Sequence, residues 1–269
     1  MAWSKLKNII ILILLFCNLF LLLLIVGQQV STARYEANTL TQTVAALDRN
    51  GIIVADSALL APDLPDSLSV THDPTSELHV AQTLLNNTDI ISACSGTFNL
   101  YSSVSGNLTM QGNGEFSATL AMPWTEYTSI SEHTAALMAQ LGISVWNITT
   151  TDQTVTVIPL LDGVPIFNAP TILVYHEDLL LSMDGYFPGL GTPDSGAAEP
   201  ITLSTALVSV LEYVLDRGIV CRSIEHMTPG YTAVLSLSGS ARFTPCWLVE
   251  TDTSSYYVDA LTGTVTPTS

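Results

Sequence analysis

The apolar pattern of the chain opens with Ile9 to Val26, an 18-residue run of Ile, Leu, Val and Phe broken only by Cys17 and Asn18. At ~1.5 Å rise per residue such a helix spans about 27 Å, close to the hydrocarbon thickness of a bilayer. Past it the periodicity predicts four further helices. The first covers 35–49, with Leu40, Val44 and Leu47 on one face and Asn50-Gly51 as a stop. The second opens with Asp73 as N-cap and Pro74 at its first position, and turns Leu78, Ala81 and Leu85 inward. The third starts at Ser129, with Glu132 at capping-box spacing, and ends at Gly142. The fourth has Thr202 or Ser204 as cap, a stripe of Leu207, Leu211, Val214 and Leu215, and Gly218 past its end.

Alternating segments predict strands. Val145–Ile148 and Val155–Ile158 flank a Thr-Asp-Gln turn; Asp162-Gly163 introduces Val164–Phe167, and Ile172–Tyr175 follows, with His176-Glu177-Asp178 as a hairpin tip. Residues 186–200 hold Pro and Gly without periodicity and read as a linker. Beyond the fourth helix, strands are expected at 219–224, 231–237, 247–250 and 256–259. In each half a helix ending in glycine leads into a meander. The fold class expected is therefore α+β: an N-terminal transmembrane helix, then two units of a helix on an antiparallel sheet.

Charge sets the orientation. Lys5 and Lys7 precede the apolar run, and all 24 acidic residues follow it against only five basic ones. Positive residues remain cytosolic, so the N-terminus is expected inside and the rest outside. A cleaved signal peptide ending near Ser31-Thr32-Ala33 is the rival reading, but the run exceeds the ~7–15 residues of a signal core. So acidic a surface repels phosphate backbones, and nucleic acid is not an expected partner.

Cysteine is sparse. Cys94, Cys221 and Cys246 permit at most one bridge; Cys221 and Cys246 flank an expected strand pair and are the couple a bridge would join. The alternative is three small buried apolar side chains. There is no GxSxG, HExxH or glycine-rich phosphate loop, and no Cys/His zinc spacing. Ser4 and Lys7 match an SxxK spacing at the membrane edge, where topology explains the lysine better. His72 and His79, with Glu77 between, lie two helical turns apart, too far for one metal. Sequons at Asn86, Asn107 and Asn147 bear on glycosylation only in a eukaryotic setting. No catalytic residue, metal site or cofactor is expected. Asn18 is the conspicuous polar residue: in hydrocarbon an amide seeks a partner on a neighbouring helix, worth roughly 0.5–2 kcal/mol.

Three segments carry a family resemblance. Trp3-Ser4-Lys5-Leu6-Lys7-Asn8-Ile9 with Phe16-Cys17-Asn18-Leu19-Phe20-Leu21 resembles the start of the YycI family of membrane-anchored regulators. Gly163-Val164-Pro165-Ile166-Phe167-Asn168 is similar to its PIFN strand. Pro245-Cys246-Trp247 through Tyr256-Tyr257-Val258-Asp259-Ala260-Leu261-Thr262-Gly263 is similar to its closing hairpin, which recurs in PepSY-like domains. The resemblance implies a non-enzymatic role: with YycH, such proteins act through their transmembrane helices on a sensor histidine kinase (WalK/YycG) that controls cell-wall metabolism. The expected organisation is a cytosolic 1–8, a transmembrane 9–27, a membrane-proximal α+β unit over 28–185, a linker over 186–200 and a C-terminal PepSY-like unit over 201–269. Two other classes stay open, a PepSY-type extracellular module binding a ligand or peptidase, and an exported hydrolase.

Overall fold

The computed structural model describes residues 2–60, 62–71, 74–86, 89–96, 98–187, 190–193, 198–236 and 240–268, with side chains of 1–13 and 23–34 among those left undescribed. The chain forms two compact units, Met1–Val54 and Ala55–Ser269.

The first unit is helix α1 (Ala2–Arg49), followed by a short β1 (Ile53–Val54). The helix expected at 35–49 is thus the continuation of the apolar segment, with no break between them. Leu40 and Val44 are half-buried and Leu47 buried, the predicted stripe. Gly51, at φ 80°, turns the chain, and the Ile52 amide donates to the Leu47 carbonyl. This is the Schellman stop that the Asn50-Gly51 pair implies. No helix is long and apolar enough to cross a membrane among the described residues, and most of 9–27 lies outside the described side chains.

The second unit is built from one theme used three times: a helix, then an antiparallel four-strand meander. In the first copy, α3 (Pro74–Leu84) precedes β3 (Ile91–Ser95), β4 (Phe98–Ser103), β5 (Gly106–Gln111) and β6 (Glu115–Pro123). In the second, α4 (Ile130–Gln140) precedes β7 (Val145–Thr151), β8 (Thr154–Leu161), β10 (Thr171–His176) and β11 (Leu179–Tyr186), with a short β9 (Val164–Pro165) paired to β8. In the third, α5 (Leu203–Arg217) precedes β13 (Ser223–Leu235), β14 (Ser240–Thr251), β15 (Ser255–Asp259) and β16 (Val265–Pro267). The expected two-unit duplication is therefore a triplication, because residues 91–123 are a complete meander.

The first two copies share one sheet. Their order is β3-β4-β5-β6-β11-β10-β8-β7, so each copy gives its last strand to the junction and its first strand to an outer edge. In the β6–β11 ladder Glu115 lies opposite Tyr186, and Leu179 opposite Pro123. One face carries α3 and α4, which bury Val80, Leu84, Leu137 and Met138 against Leu108, Met110, Val155 and Leu173. The third copy forms the second sheet. Along one edge of β14 runs β13; along the other lie β2 (Leu68–Thr71) and β15, and β12 (Leu190–Pro193) extends β2. A short α2 (Asp56–Leu59) completes the elements. The stretch 186–200 thus contains the end of β11 and all of β12.

Local chemistry explains the helix ends. Ser129 caps α4 by accepting from the Glu132 amide, while the Glu132 carboxylate turns back to the Thr128 amide. The box is closed one residue earlier than the simple spacing implies. Thr202 caps α5, and Gly142 (φ 72°) and Gly218 (φ 62°) end α4 and α5 with the same pair of backbone bonds as α1. Asp73 lies outside the described residues. Two inward assignments are corrected. Leu78 is 49 % and Leu215 56 % exposed. The buried faces are Glu77, Val80, Ala81 and Leu84 on α3, with Leu85 buried just past its end, and Ala206, Leu207, Val210 and Val214 on α5.

Of the strand expected at 219–224 only 223–224 is strand, and it belongs with 231–235 to one long strand, β13, which runs through Pro229-Gly230 without a break; Leu237 lies outside the described residues. The Gly163–Asn168 motif seals its edge. Ile166 bridges to Tyr231, the Phe167 amide donates to the Tyr231 carbonyl, and Asn168 both donates to the Ala233 carbonyl and accepts from its amide. The Asn168 amide thereby acts as one more peptide group in the ladder. Around this contact Ile166, Tyr186, Tyr231 and Phe243 form a cluster spanning both sheets. That cluster, rather than a flexible connection, unites them.

Candidate functional site

Two polar groups are buried beneath the helices of the first sheet, each at the fourth residue of its helix. On α3 this is Glu77, 2 % exposed, which accepts from Asn99 Nδ2 at 2.6 Å and from the Tyr101 hydroxyl at 2.9 Å. Its place in the first turn also sets a carboxylate against the positive end of the helix. Burial and the neighbouring carboxylate push the Tyr101 phenol up to about 12. The metal reading of His72, Glu77 and His79 fails on direction: Glu77 faces the sheet, while the exposed His79 lies by the Gln140 carbonyl. His72 lies outside the described residues.

On α4 the fourth residue is His133, 4 % exposed. Its Nδ1 lies 2.8 Å from the Tyr175 hydroxyl, which lies 2.8 Å from Thr134 Oγ1, and Thr134 donates to the Ile130 carbonyl at 2.8 Å. The direction of this chain follows from counting hydrogens. Thr134 spends its one hydrogen on Ile130, so Tyr175 donates to Thr134. The Tyr175 oxygen then accepts from His133 Nδ1–H, which fixes the tautomer with Nε2 as an acceptor. Burial holds the imidazole below its usual range and pushes Tyr175 up to about 12, so both are neutral near pH 7. Tyr127 packs edge-on against His133 at 5.0 Å, and Trp124 edge-on against Tyr175 at 6.4 Å.

His133 lines a cleft of about 340 Å³ between the end of α3, the connection from β6 to α4, and α4 itself. Thr83, Asn86, Ser105, Glu126, Tyr127 and Gln140 are among its walls. The arrangement is a receptacle with one oriented acceptor. It holds no second base or nucleophile in contact with His133 among the described residues. Sequence reasoning passed over His133, whose only local signal is an apolar-helix position beside a cap.

The other expected positions are dispersed. Asn18 is exposed on α1. Cys221 and Cys246 are free thiols, and the bridge between them is not made. Cys221 sits just before β13, by the Thr251 end of β14, whereas Cys246 pairs with Gly230 five residues further along. At ~3.4 Å per residue that is about 17 Å, far beyond the ~7 Å a disulfide spans. Cys94 is exposed, so the three are not all buried. His176 ends β10 and Glu177, at φ 49°, forms the expected tip, where its carbonyl accepts from Trp124 Nε1. Asn107 and Asn147 are exposed on β5 and β7, and Asn86 follows α3 at φ 56°. Among the described residues no group of three His, Cys, Asp or Glu is placed to hold a metal.

The fold defines an α+β protein of repeated helix–meander units, dominated by antiparallel sheet. No family model matches the chain, and no curated protein does. Among solved structures it is similar to an uncharacterized protein from Eubacterium rectale, at 10 % identity and TM-score 0.44 over 76 % of this chain and 86 % of that one. It is also similar to the Bacillus megaterium YpeB C-terminal domain, at 10 % identity and TM-score 0.37, covering 74 % and 99 %. A third is YycH from Bacillus subtilis, at 14 % identity and TM-score 0.41; 76 % of this chain spans about half (53 %) of that one.

Proposed function

We propose that this chain is a membrane-anchored, non-enzymatic regulator of a sensor histidine kinase of the WalK/YycG type, acting through its N-terminal helix together with a YycH-like partner. The observation that carries the reading is the placement of Asn18. It lies midway along the apolar run Ile9–Val26, inside a helix that continues to Arg49. An amide held there in hydrocarbon is specific only if another helix answers it. The Trp3–Ile9 and Pro245–Gly263 segments add the family resemblance, and the Lys5 and Lys7 pair sets the N-terminus inside the cell.

The ectodomain supports an interaction role in a second way. Strands β3 and β7 each pair on one side only, so both outer edges of the first sheet are open among the described residues. Such edges accept an added strand from a partner. A second reading, an extracellular binding module of the PepSY kind independent of any kinase, is favoured by the cleft at His133.

The test is a mild-detergent pull-down of the full-length protein from its native membrane, with mass spectrometry of what accompanies it. Recovery of a sensor kinase, lost when residues 9–26 are replaced by an unrelated anchor, is the expected result. A kinase retained with the foreign anchor overturns action through the helix. Recovery of peptidases or no partner transfers the function to the ectodomain alone.

A further inference from the structure

The cleft at His133 has a polarity that the kinase reading neither uses nor requires. His133 is more than nine-tenths buried, its Nδ1 is committed to Tyr175, Nε2 has no partner among the described residues, and the residue lines the cleft. A buried acceptor left open toward a cavity calls for a donor from outside the protein.

The remaining wall narrows the ligand. Thr83, Asn86, Ser105 and Gln140 offer neutral donors and acceptors, and the Tyr127 ring offers a flat apolar surface. Among the described residues Glu126 is the one charged residue on the wall, and it is exposed. An anion finds no cation there, and a cation finds one solvated carboxylate. A hydroxyl-rich neutral molecule satisfies every group: a hydroxyl donates to Nε2, others meet the amides, and a ring face lies on Tyr127. The volume of about 340 Å³ suits a disaccharide-sized ligand.

We propose that this cleft binds a small neutral saccharide, anchored by a sugar hydroxyl donating to His133 Nε2. The positioning residue is Tyr175, which through Thr134 keeps the imidazole in the accepting tautomer. Protonation of His133 turns Nε2 into a donor and abolishes that contact.

The test uses full-length protein in a sugar-free detergent, with nitrogen-15 NMR of the imidazole rings and N,N′-diacetylchitobiose as probe. The free protein is expected to show His133 protonated on Nδ1. Millimolar probe is expected to move the Nε2 resonance saturably, and Tyr127→Ala on the cleft wall to weaken that binding about tenfold or more. Tyr175→Phe is expected to release the tautomer, so that the Nε2–H form becomes populated. A His133 protonated on Nε2 in the wild type overturns the proposal, as does an Nε2 resonance unmoved by millimolar probe. An equal response in Tyr127→Ala overturns the aromatic half of the site.

Discussion

The Phe167 ring lies so close to Gly230 that no Cβ fits between them. Phe167 is in turn held between Trp146 of β7, edge-on at 5.6 Å, and Tyr257 of β15, stacked at 5.8 Å. One missing side chain in β13 thus lets an aromatic from the connection between β9 and β10 pack against the second sheet.

Gly230→Ala is expected to destabilise the protein by about 1–3 kcal/mol, the usual cost of overpacking a core. The Pro165 carbonyl also lies 2.8 Å from the added carbon, so the backbone has little freedom to yield. Phe167→Leu in the same chain should recover part of the loss, because the ring edge is the nearest obstacle. Denaturant unfolding of the single and double variants measures both effects; equal stability of Gly230→Ala and wild type removes this contact from the account of how the sheets join.

Stability should depend on pH through His133. Its folded-state proton affinity is lowered by burial, so as pH falls the unfolded chain takes up this proton first. The contribution is complete above the unfolded value of about 6.5 and declines as pH drops toward the folded value. Tyr175, hydrogen-bonded to the ring, stays neutral through this window. Comparing wild type with His133→Gln, the slope between pH 7.5 and 5.5 should be steeper in the wild type. Parallel slopes would show that the imidazole titrates alike in both states.

Glu77→Gln is expected to cost roughly 1–3 kcal/mol, since Asn99 and Tyr101 both donate to Oε2 and a neutral amide oxygen in its place is the weaker acceptor. The Tyr101 phenol should also titrate lower, moving from about 12 toward its ordinary value, although burial keeps it raised. Phenolate absorbance during alkaline titration reports the change. A Tyr101 midpoint unmoved by Glu77→Gln would mean the bond contributes nothing to it.

Thr171 is fully buried, and its hydroxyl has no partner among the described residues. Gly185 on β11 leaves the room that its side chain fills. Thr171→Val retains the shape and removes the unanswered hydroxyl, so it should be neutral or stabilising by up to about 2 kcal/mol. A loss of stability on thermal or denaturant unfolding would mean that the hydroxyl is bonded in solution.

The helices were readable because their ends are written locally: Ser129 and Thr202 as caps, Gly51, Gly142 and Gly218 as stops. The hairpin at Asp152 was readable for the same reason, its turn residue adopting φ 52°. The meander over 91–123 was not read. β3 is Ile-Ser-Ala-Cys-Ser with every residue exposed, so an edge strand shows no alternation to detect. β6 does alternate, burying Phe116, Ala118 and Leu120, but its small residues weaken the pattern. The His133–Tyr175 bond joins residues 42 apart in the chain, and the cleft depends on α3 as well. No local pattern contains that information. In α5 the spacing places Leu215 inward, whereas the packed face runs through Ala206, Leu207, Val210 and Val214, and Leu215, one residue past Val214, turns to its exposed side.

The β6–β11 junction has a consequence for how the chain is made. Synthesis proceeds from the N-terminus, so Glu115 exists long before Tyr186, its partner across the ladder. Until β11 arrives, the first meander carries an unpaired inner edge with the Phe116, Ala118 and Leu120 face at risk of exposure. Pairings this distant in sequence close slowly, and an open strand edge is where a nascent chain sticks to its neighbours. The most vulnerable moment in this protein's life therefore falls before Leu179–Tyr186 has been made, when all of β6's inner edge waits for a strand not yet synthesised.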